Sequence, residues 1–241
     1  MSSTHAISRT PAFVALVVTM ALWGSTSAVA KLMLDSFAPV MLNWLRWVIV
    51  MLITAPFAWN ERAALAQALR TRWRTLLLLI LLGGSLQSSV EFTGLSLSSA
   101  IHLGLFNSAI PVMILTLGWL FFGETLRAKE VLGVTISAIG VIVIFFQGSF
   151  DILRRLAVLP GDPILLAGML LWAIYSLSLN RRPANVSLIT LMFVIAAASV
   201  PLAAPLVWFE AQSHPLPALT WPLVTGLFYL AAITNLGAML L

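Results

Sequence analysis

Long, uninterrupted apolar runs separated by short polar gaps dominate the chain. Eight of these runs approach the roughly 20 residues that a helix needs to cross a bilayer. They are continuous and do not alternate with polar residues, which favours transmembrane helices over the strands of a barrel. The predicted spans are 12–34, 39–59, 76–97, 100–122, 130–147, 163–181, 187–208 and 221–241. We therefore predict an all-α, polytopic membrane protein, with Pro39 and Pro222 near two of the helix starts.

The composition also indicates a protein surrounded by lipid. Of its 241 residues, 61% are hydrophobic and 9% are charged, whereas a soluble domain carries roughly 25% charged residues. The 13 Lys and Arg and 8 Asp and Glu give a net charge of +5. Because the basic residues lie in the gaps between apolar runs, we predict no nucleic-acid partner. The chain has no cysteine and no nucleophile–base, phosphate-loop or metal-ligand motif, so we predict no enzyme activity, cofactor or metal.

The distribution of basic residues predicts the orientation in the membrane. If the N-terminus is cytoplasmic, nine basic residues lie inside and three outside, as the positive-inside rule requires. The inner residues are Arg9, Arg62, Arg70, Arg72, Arg74, Arg127, Lys129, Arg181 and Arg182, and the outer residues are Lys31, Arg154 and Arg155. We predict an inner-membrane protein with a cytoplasmic N-terminus. Residues 1–30 also resemble a signal peptide, but the apolar run continues past Lys31, which favours a retained helix.

An internal repeat emerges when the chain is shifted by 149 residues. The aligned pairs are Trp23 and Trp172, Ser27 and Ser176, Pro56 and Pro205, Trp59 and Trp208, and Glu61 and Glu210. A unit of this length contains five predicted spans, so a second copy must enter the membrane from the opposite face, as in many secondary transporters. We predict an inverted repeat of units 1–148 and 149–241. The second unit holds only three spans, so we expect the chain to be C-terminally incomplete.

Several short motifs follow one another in a characteristic order. They are Ala-Leu-Trp-Gly-Ser at 21–25, Gly94-Leu95, Ile110-Pro111-Val112, Phe122-Gly123-Glu124-Thr125-Leu126, Gly161-Asp162 and Leu171-Trp172-Ala173-Ile174-Tyr175. In order and spacing the chain resembles the EamA-type transporters of the drug/metabolite transporter superfamily. This resemblance implies ten helices in two inverted halves that move small metabolites or drugs by alternating access, often outward.

We accordingly predict a proton-coupled exporter whose partners are the lipid bilayer and a small-molecule substrate. Whether it forms a homodimer is left open. The alternative is a truncated, non-transporting membrane protein, or a helper subunit that needs a partner to complete the bundle.

Two opposite charges within the spans are the first candidates for the site. Glu91 in the third span and Arg46 in the second lie at a similar depth, roughly 10 Å below the outer boundary at 1.5 Å per residue. A charge in the bilayer interior is costly and commonly functional. The pair could form a proton or substrate site, or a structural ion pair between the two helices.

Other polar and aromatic residues within the spans give further candidates. His102, near the outer end of the fourth span, could relay protons or be an interfacial group. Trp23 and Trp172 could line a cavity or pack as symmetric partners. The remaining candidates for a polar pathway are Asn43, Gln87, Asn107 and Tyr175, each of which could instead form helix–helix hydrogen bonds.

Two more residues have alternative roles. Pro111 could be a hinge or the site of a static bend. Lys31 could attract an anionic substrate to the outer mouth, or extend its amine toward the headgroups.

Overall fold

The computed structural model describes residues 9–146 and 158–238, and these two ranges contain helices and no β-strand. The elements up to residue 146 are α1 (Arg9–Met33), α2 (Pro39–Asn60), α3 (Arg62–Thr71), α4 (Trp73–Leu81), a π-helical segment π1 (Leu82–Leu86), α5 (Gln87–Ser96), α6 (Ala100–Asn107), α7 (Ile110–Phe122) and α8 (Ala128–Phe146). Those from residue 158 onward are α9 (Asp162–Leu179), α10 (Leu188–Ser213), α11 (Trp221–Phe228) and a second π-helical segment, π2 (Tyr229–Gly237). The all-helical prediction is confirmed.

The lengths of the helices suit a multi-pass membrane protein. Within the described ranges, five helical stretches are long and apolar enough to cross a bilayer: α1 from Phe13, α2, the Trp73–Ser96 stretch of α4, π1 and α5, α9, and α10. A sixth crossing results if α6 and α7 count as one bent span. Helix α8 and the short Trp221–Gly237 helix occupy the two remaining apolar runs. The count of eight crossings stays a prediction.

Local sequence explains where several helices begin and end. Pro39 and Pro222 lie in the first turns of α2 and α11, as predicted, because no backbone N–H is needed there. Ser187 caps α10 by accepting a hydrogen bond from the Thr190 N–H at 3.2 Å. Gly123 ends α7 with a φ of +70°, which glycine adopts without the steric cost of a Cβ.

The fourth predicted span is broken. Helix α6 ends at Asn107 and α7 begins at Ile110, and the two are bent by 41°. Pro111 therefore lies in the first turn of α7, next to this bend, and its role as a hinge or as the site of a static bend stays a prediction. Because a proline in the first turn breaks no helical hydrogen bond, Pro111 fits the start of a new helix.

Helices α2 and α10 cap each other at both ends. Glu61, directly after α2, accepts a hydrogen bond from the Ser187 N–H at the start of α10 at 2.9 Å. Glu210, in the last turns of α10, accepts from the Val40 and Met41 N–H groups at the start of α2 at 3.1 and 2.7 Å. The two helices are therefore antiparallel. A carboxylate at a helix N-terminus satisfies free N–H groups and complements the helix dipole.

The two π-helical segments lie at related positions. Residues 82–86 of π1, shifted by 149 positions, fall on 231–235 within π2. In π1, Gly84 has φ −103° and ψ −106°, and its carbonyl accepts a hydrogen bond from Trp47 Nε1 at 3.1 Å. A Cβ on Gly83 would collide with the Tyr175 ring, and one on Gly84 with the Ser199 side chain. The glycines thus allow α9 and α10 to approach the third span closely.

Candidate functional site

Five polar side chains on α2 and α5 form one group, here called the Arg46 cluster: Asn43, Arg46, Gln87, Ser89 and Glu91. Asn43 is 1% exposed and donates from Nδ2 to the Ser89 hydroxyl at 2.9 Å. Its Oδ1 accepts a hydrogen bond from Arg46 Nη2 at 2.9 Å. Gln87 Nε2 donates to Glu91 Oε2 at 2.6 Å. Asn43 therefore positions the arginine, and Gln87 positions the carboxylate.

Arg46 is buried but incompletely hydrogen-bonded. The residue is 6% exposed, and its guanidinium lies 4.9 Å from the Phe92 ring centroid and 5.8 Å from that of Trp47. Its Nε is buried and has no acceptor among the described residues. Cation–π contacts stabilise the charge but satisfy no N–H group.

The predicted partners Arg46 and Glu91 share a cluster but form no direct ion pair. In the described ranges, the only carboxylate within 4.0 Å of a basic nitrogen belongs to a different pair. Each charge is instead held by the amide side chain on its own helix, Asn43 or Gln87. The separation leaves both groups available for an additional partner.

A second buried group, here called the His102 cluster, comprises Ser98, His102 and Asp162. His102 Nδ1 lies 3.0 and 2.9 Å from the two carboxylate oxygens of Asp162. Ser98 donates its hydroxyl to Asp162 Oδ1 at 2.5 Å, and the Leu159 N–H donates to Oδ2 at 2.9 Å. His102 is buried beside Asp162 and paired with it, and its role as a proton relay or an interfacial group stays a prediction.

Asp162 is the member that sequence reasoning missed. It lies at the first position of α9, where an acidic residue commonly stabilises a helix N-terminus. Only the approach of α9 to the turn between α5 and α6, marked by a Gly161 N–H bond to the Leu97 carbonyl at 3.1 Å, brings it to His102. The Gly161-Asp162 motif was the available signal.

Lys31 hydrogen-bonds backbone carbonyls at the end of a neighbouring helix. Its Nζ donates to the Leu95 and Ser98 carbonyls at 2.7 and 2.8 Å. These carbonyls belong to the end of α5 and the following turn, where the regular helical hydrogen bonds run out. Lys31 thus caps α5 from α1, next to the His102 cluster, and its roles in attracting an anion or reaching the headgroups stay predictions.

The two repeat-related tryptophans are in contact. The rings of Trp23 and Trp172 meet edge to face with centroids 5.7 Å apart, and Trp172 lies 5.3 Å from Tyr175. Tyr175 is 1% exposed. This aromatic row joins α1 to α9, and edge-to-face packing of this kind stabilises helix contacts.

The two remaining candidates lie apart from these clusters. Asn107 is the last residue of α6, is partly buried and makes no side-chain hydrogen bond within the described ranges. Pro111 follows the break between α6 and α7. A further polar residue within π2, Asn235, has a buried Nδ2 with no acceptor in the described part of the chain.

These features define a class of protein: a multi-pass helical membrane protein with charged clusters enclosed among its helices. Residues 10–146 match the profile of the EamA-like transporter family, and the chain belongs to this family. It is 23% identical over 174 residues to an uncharacterized transporter of Methanothermobacter thermautotrophicus, covering 67% of this chain and 51% of that protein. It is 30% identical over 95 residues to the uncharacterized transporter YyaM of Bacillus subtilis, covering 39% of this chain and 31% of YyaM. With YetK of Bacillus subtilis, also an uncharacterized transporter, the identity is 23% over 231 residues, covering 94% and 69%. The chain spans about half the length of the first of these relatives.

Proposed function

We propose that this protein transports a small metabolite or drug across the inner membrane by alternating access, as a proton-coupled exporter. Family membership supports a transporter in general. The observation that carries the site is the Arg46 cluster, in which a buried cation and a carboxylate are held apart among apolar helices. Charges in such a position are costly and mark substrate or proton pathways in membrane proteins. The proposal includes no enzymatic step.

We further propose that residues 1–148 and 149–241 are inverted copies of one unit. Three structural relations support this proposal: the reciprocal caps of Glu61 and Glu210, the related positions of π1 and π2, and the contact between Trp23 and Trp172. Glu61 and Glu210, like π1 and π2, occupy positions that the 149-residue shift relates, and the tryptophan contact directly joins two such positions. Discontinuous helices near the interface of inverted repeats are a recurrent feature of transporter binding sites.

The orientation is part of the same proposal, with the N-terminus cytoplasmic. Glu61, Asn185 and Ser187 lie at one end of the α2–α10 pair, next in sequence to most of the basic residues. Because the chain has no native cysteine, single cysteines introduced at Arg70 and Gln212 can be labelled with an impermeant maleimide in intact cells. We expect labelling at Gln212→Cys and protection at Arg70→Cys. Labelling of both from the same side would contradict the proposed threading.

Transport is tested with Glu91→Gln. The purified chain is reconstituted in proteoliposomes with a trapped pH dye, and proton movement is followed on addition of a panel of amino acids, organic acids and cationic dyes. We expect coupled proton movement for at least one solute, abolished in Glu91→Gln at unchanged protein content. Glu130→Gln, at an exposed position, is the matched control and should retain it. Unaltered coupling in Glu91→Gln would leave this carboxylate a structural role, and no solute-dependent flux at all would favour the helper-subunit alternative.

A further inference from the structure

Arg46 has more hydrogen-bond donors than the surrounding helices accept. An arginine side chain carries five N–H donors and no acceptor. Among the described residues the only acceptor of these donors is Asn43 Oδ1, bound by Nη2, and Nε is buried without one. A buried charged donor without a partner is unfavourable by more than a neutral one. The geometry therefore indicates an acceptor supplied from outside this part of the chain.

The free donors of Arg46 suit a planar or tetrahedral oxyanion. A guanidinium pairs with carboxylate or phosphate through two parallel N–H···O bonds, and Nε together with one Nη is one edge that can do so. The hydrogen bond that Arg46 Nη2 donates to Asn43 Oδ1 fixes the guanidinium, and the rings of Phe92 and Trp47 limit its movement. The side chain is thus already oriented for such a pairing, which lowers the entropy lost on binding.

The charge of the cluster restricts when an anion can bind. Glu91 is the nearby carboxylate on α5. The charged or titratable side chains that the structure describes on the elements packed against α5 and π1 are Arg46 on α2, Lys31 on α1, Arg74 on α4, Asp162 and Tyr175 on α9, and Glu210 on α10. Arg74 lies against the Trp73 ring, and Glu210 caps the start of α2. Lys31 and Asp162 are engaged at the far end of α5. If Arg46 and Glu91 are both ionised, their charges cancel. An added anion then leaves one uncompensated negative charge among apolar helices, which protonation of Glu91 removes.

We infer that Arg46 binds the oxyanion of a small solute, a carboxylate or a phosphate, and that Glu91 takes up one proton from water when the anion binds. The inference rests on the proposed function because it assigns the substrate class and the proton site of the same cluster. The bound state contains Arg46 with its positive charge, the anion, and a neutral Glu91 carboxyl group that can still hydrogen-bond Gln87. No covalent bond changes, and loss of the proton favours release of the anion.

The test measures binding to the full chain in lipid nanodiscs by titration calorimetry, at constant chloride, between pH 6 and 8. The probes are sodium benzoate, its neutral isostere benzamide, sodium acetate and inorganic phosphate. We expect benzoate or phosphate to bind, and benzamide to bind at least about tenfold more weakly than benzoate. Tighter binding of benzoate and acetate assigns a carboxylate as the ligand, and tighter binding of phosphate assigns a phosphate. If none of the three anions binds, or benzamide binds as well as benzoate, the inference is overturned.

Variants of Arg46 test its role in anion binding separately from the role of Glu91. Arg46→Gln should weaken anion binding at least about tenfold, and Arg46→Lys, which keeps the charge but loses the planar fork, should lie between it and the wild type. Arg62→Gln, at an exposed position, is the matched control. Unchanged binding in Arg46→Gln overturns the inference. If that variant does not fold, Arg46→Lys decides in the same way.

The proton is tested by the pH dependence of affinity. Uptake of one proton with each anion requires the dissociation constant to rise about tenfold per pH unit where Glu91 is ionised in the free protein. In Glu91→Gln the benzoate affinity should be independent of pH. A wild-type affinity that does not change with pH overturns this part of the inference.

The two proposals can fail separately. Proton-coupled flux of cationic or neutral solutes, with no anion binding at Arg46, overturns the substrate class and leaves the transporter. If anion binding depends on Arg46 but no flux occurs in proteoliposomes, the proposed anion site stands and the proposed transport function is overturned.

Discussion

The Arg46 cluster and the His102 cluster are both buried in an apolar bundle, yet they differ in how fully their groups are paired. Asp162 accepts hydrogen bonds from Ser98 and the Leu159 backbone and pairs with His102. Arg46 leaves its Nε without an acceptor. A fully paired polar group rigidifies a structure, whereas a partly paired one is unfavourable unless something else completes it. The comparison supports the binding role proposed for the Arg46 cluster and favours an architectural role for the His102 cluster.

The largest expected effect is on stability, in Asp162→Ala. Removing the carboxylate leaves the His102 ring and the Ser98 hydroxyl buried without their acceptor, and breaking a buried pair in this way costs about 3 kcal/mol or more. We expect a pronounced fall in the thermal midpoint in detergent, measured by tryptophan fluorescence. Asp35→Ala, at an exposed position, is the control. Equal midpoints for the two variants would remove the distinction between the clusters.

The next prediction concerns the Arg46 cluster, where we expect a loss of function without a loss of stability. Replacing both charges, in Arg46→Met with Glu91→Gln, removes a cation and a carboxylate that make few bonds. Exchanging buried charges for groups of similar volume is often neutral or stabilising, so we expect an unfolding free energy within about 1 kcal/mol of the wild type, or higher. Solute-dependent proton flux should nevertheless be lost. A double variant as unstable as Asp162→Ala would show that this cluster is also architectural.

A smaller loss of stability is expected when Lys31, which lies next to the His102 cluster, is replaced. Lys31→Met removes the hydrogen bonds from Nζ to the Leu95 and Ser98 carbonyls. Hydrogen bonds from a charged donor contribute about 1.5–3 kcal/mol, so the thermal midpoint should fall, but less than in Asp162→Ala. Lys31→Arg, which keeps the charge and the donors, should recover part of the loss. A midpoint in Lys31→Met equal to that of the wild type would mean that water replaces these bonds.

The smallest expected effect on stability concerns Glu61, a carboxylate outside the spans, which provides a reference for both clusters. The backbone N–H of Ser187, followed by the hydroxyls of Thr190 and Ser187, lowers the pKa of Glu61 below its usual value. A carboxylate whose pKa is lowered by folding stabilises the protein fully above its unfolded-state pKa, and this contribution is lost as the pH falls through the folded-state pKa.

The measurement compares the thermal midpoints of the wild type and Glu61→Gln between pH 3 and 7. The difference between the two proteins should be small, present near neutral pH, and shrink as the pH falls below that of an ordinary glutamate, about 4.3. A difference that persists unchanged at pH 3 would mean that the cap does not depend on the charge.

Hydropathy predicted the helices well because each span needs a continuous apolar run, and the proline positions at 39 and 222 located two helix starts. It placed Arg46 and Glu91 at one depth but could not predict their contacts, because the rotation of each helix about its axis decides which neighbour a side chain meets. Asp162 was missed for a related reason, since its partner lies 60 positions away. Both π-helical segments lie inside predicted apolar spans, 76–97 and 221–241, so hydropathy did not distinguish them from α-helix.

The reciprocal caps of α2 and α10 restrict how this protein can move. Each carboxylate contacts the first turn of the opposite helix, so a displacement of one helix along the other by even one residue, about 1.5 Å with a rotation of about 100°, separates both caps together. Sliding along this pair is therefore disfavoured in either direction. If the protein works by the proposed alternating access, the surrounding helices have to bend or swing around α2 and α10, whose register stays constant.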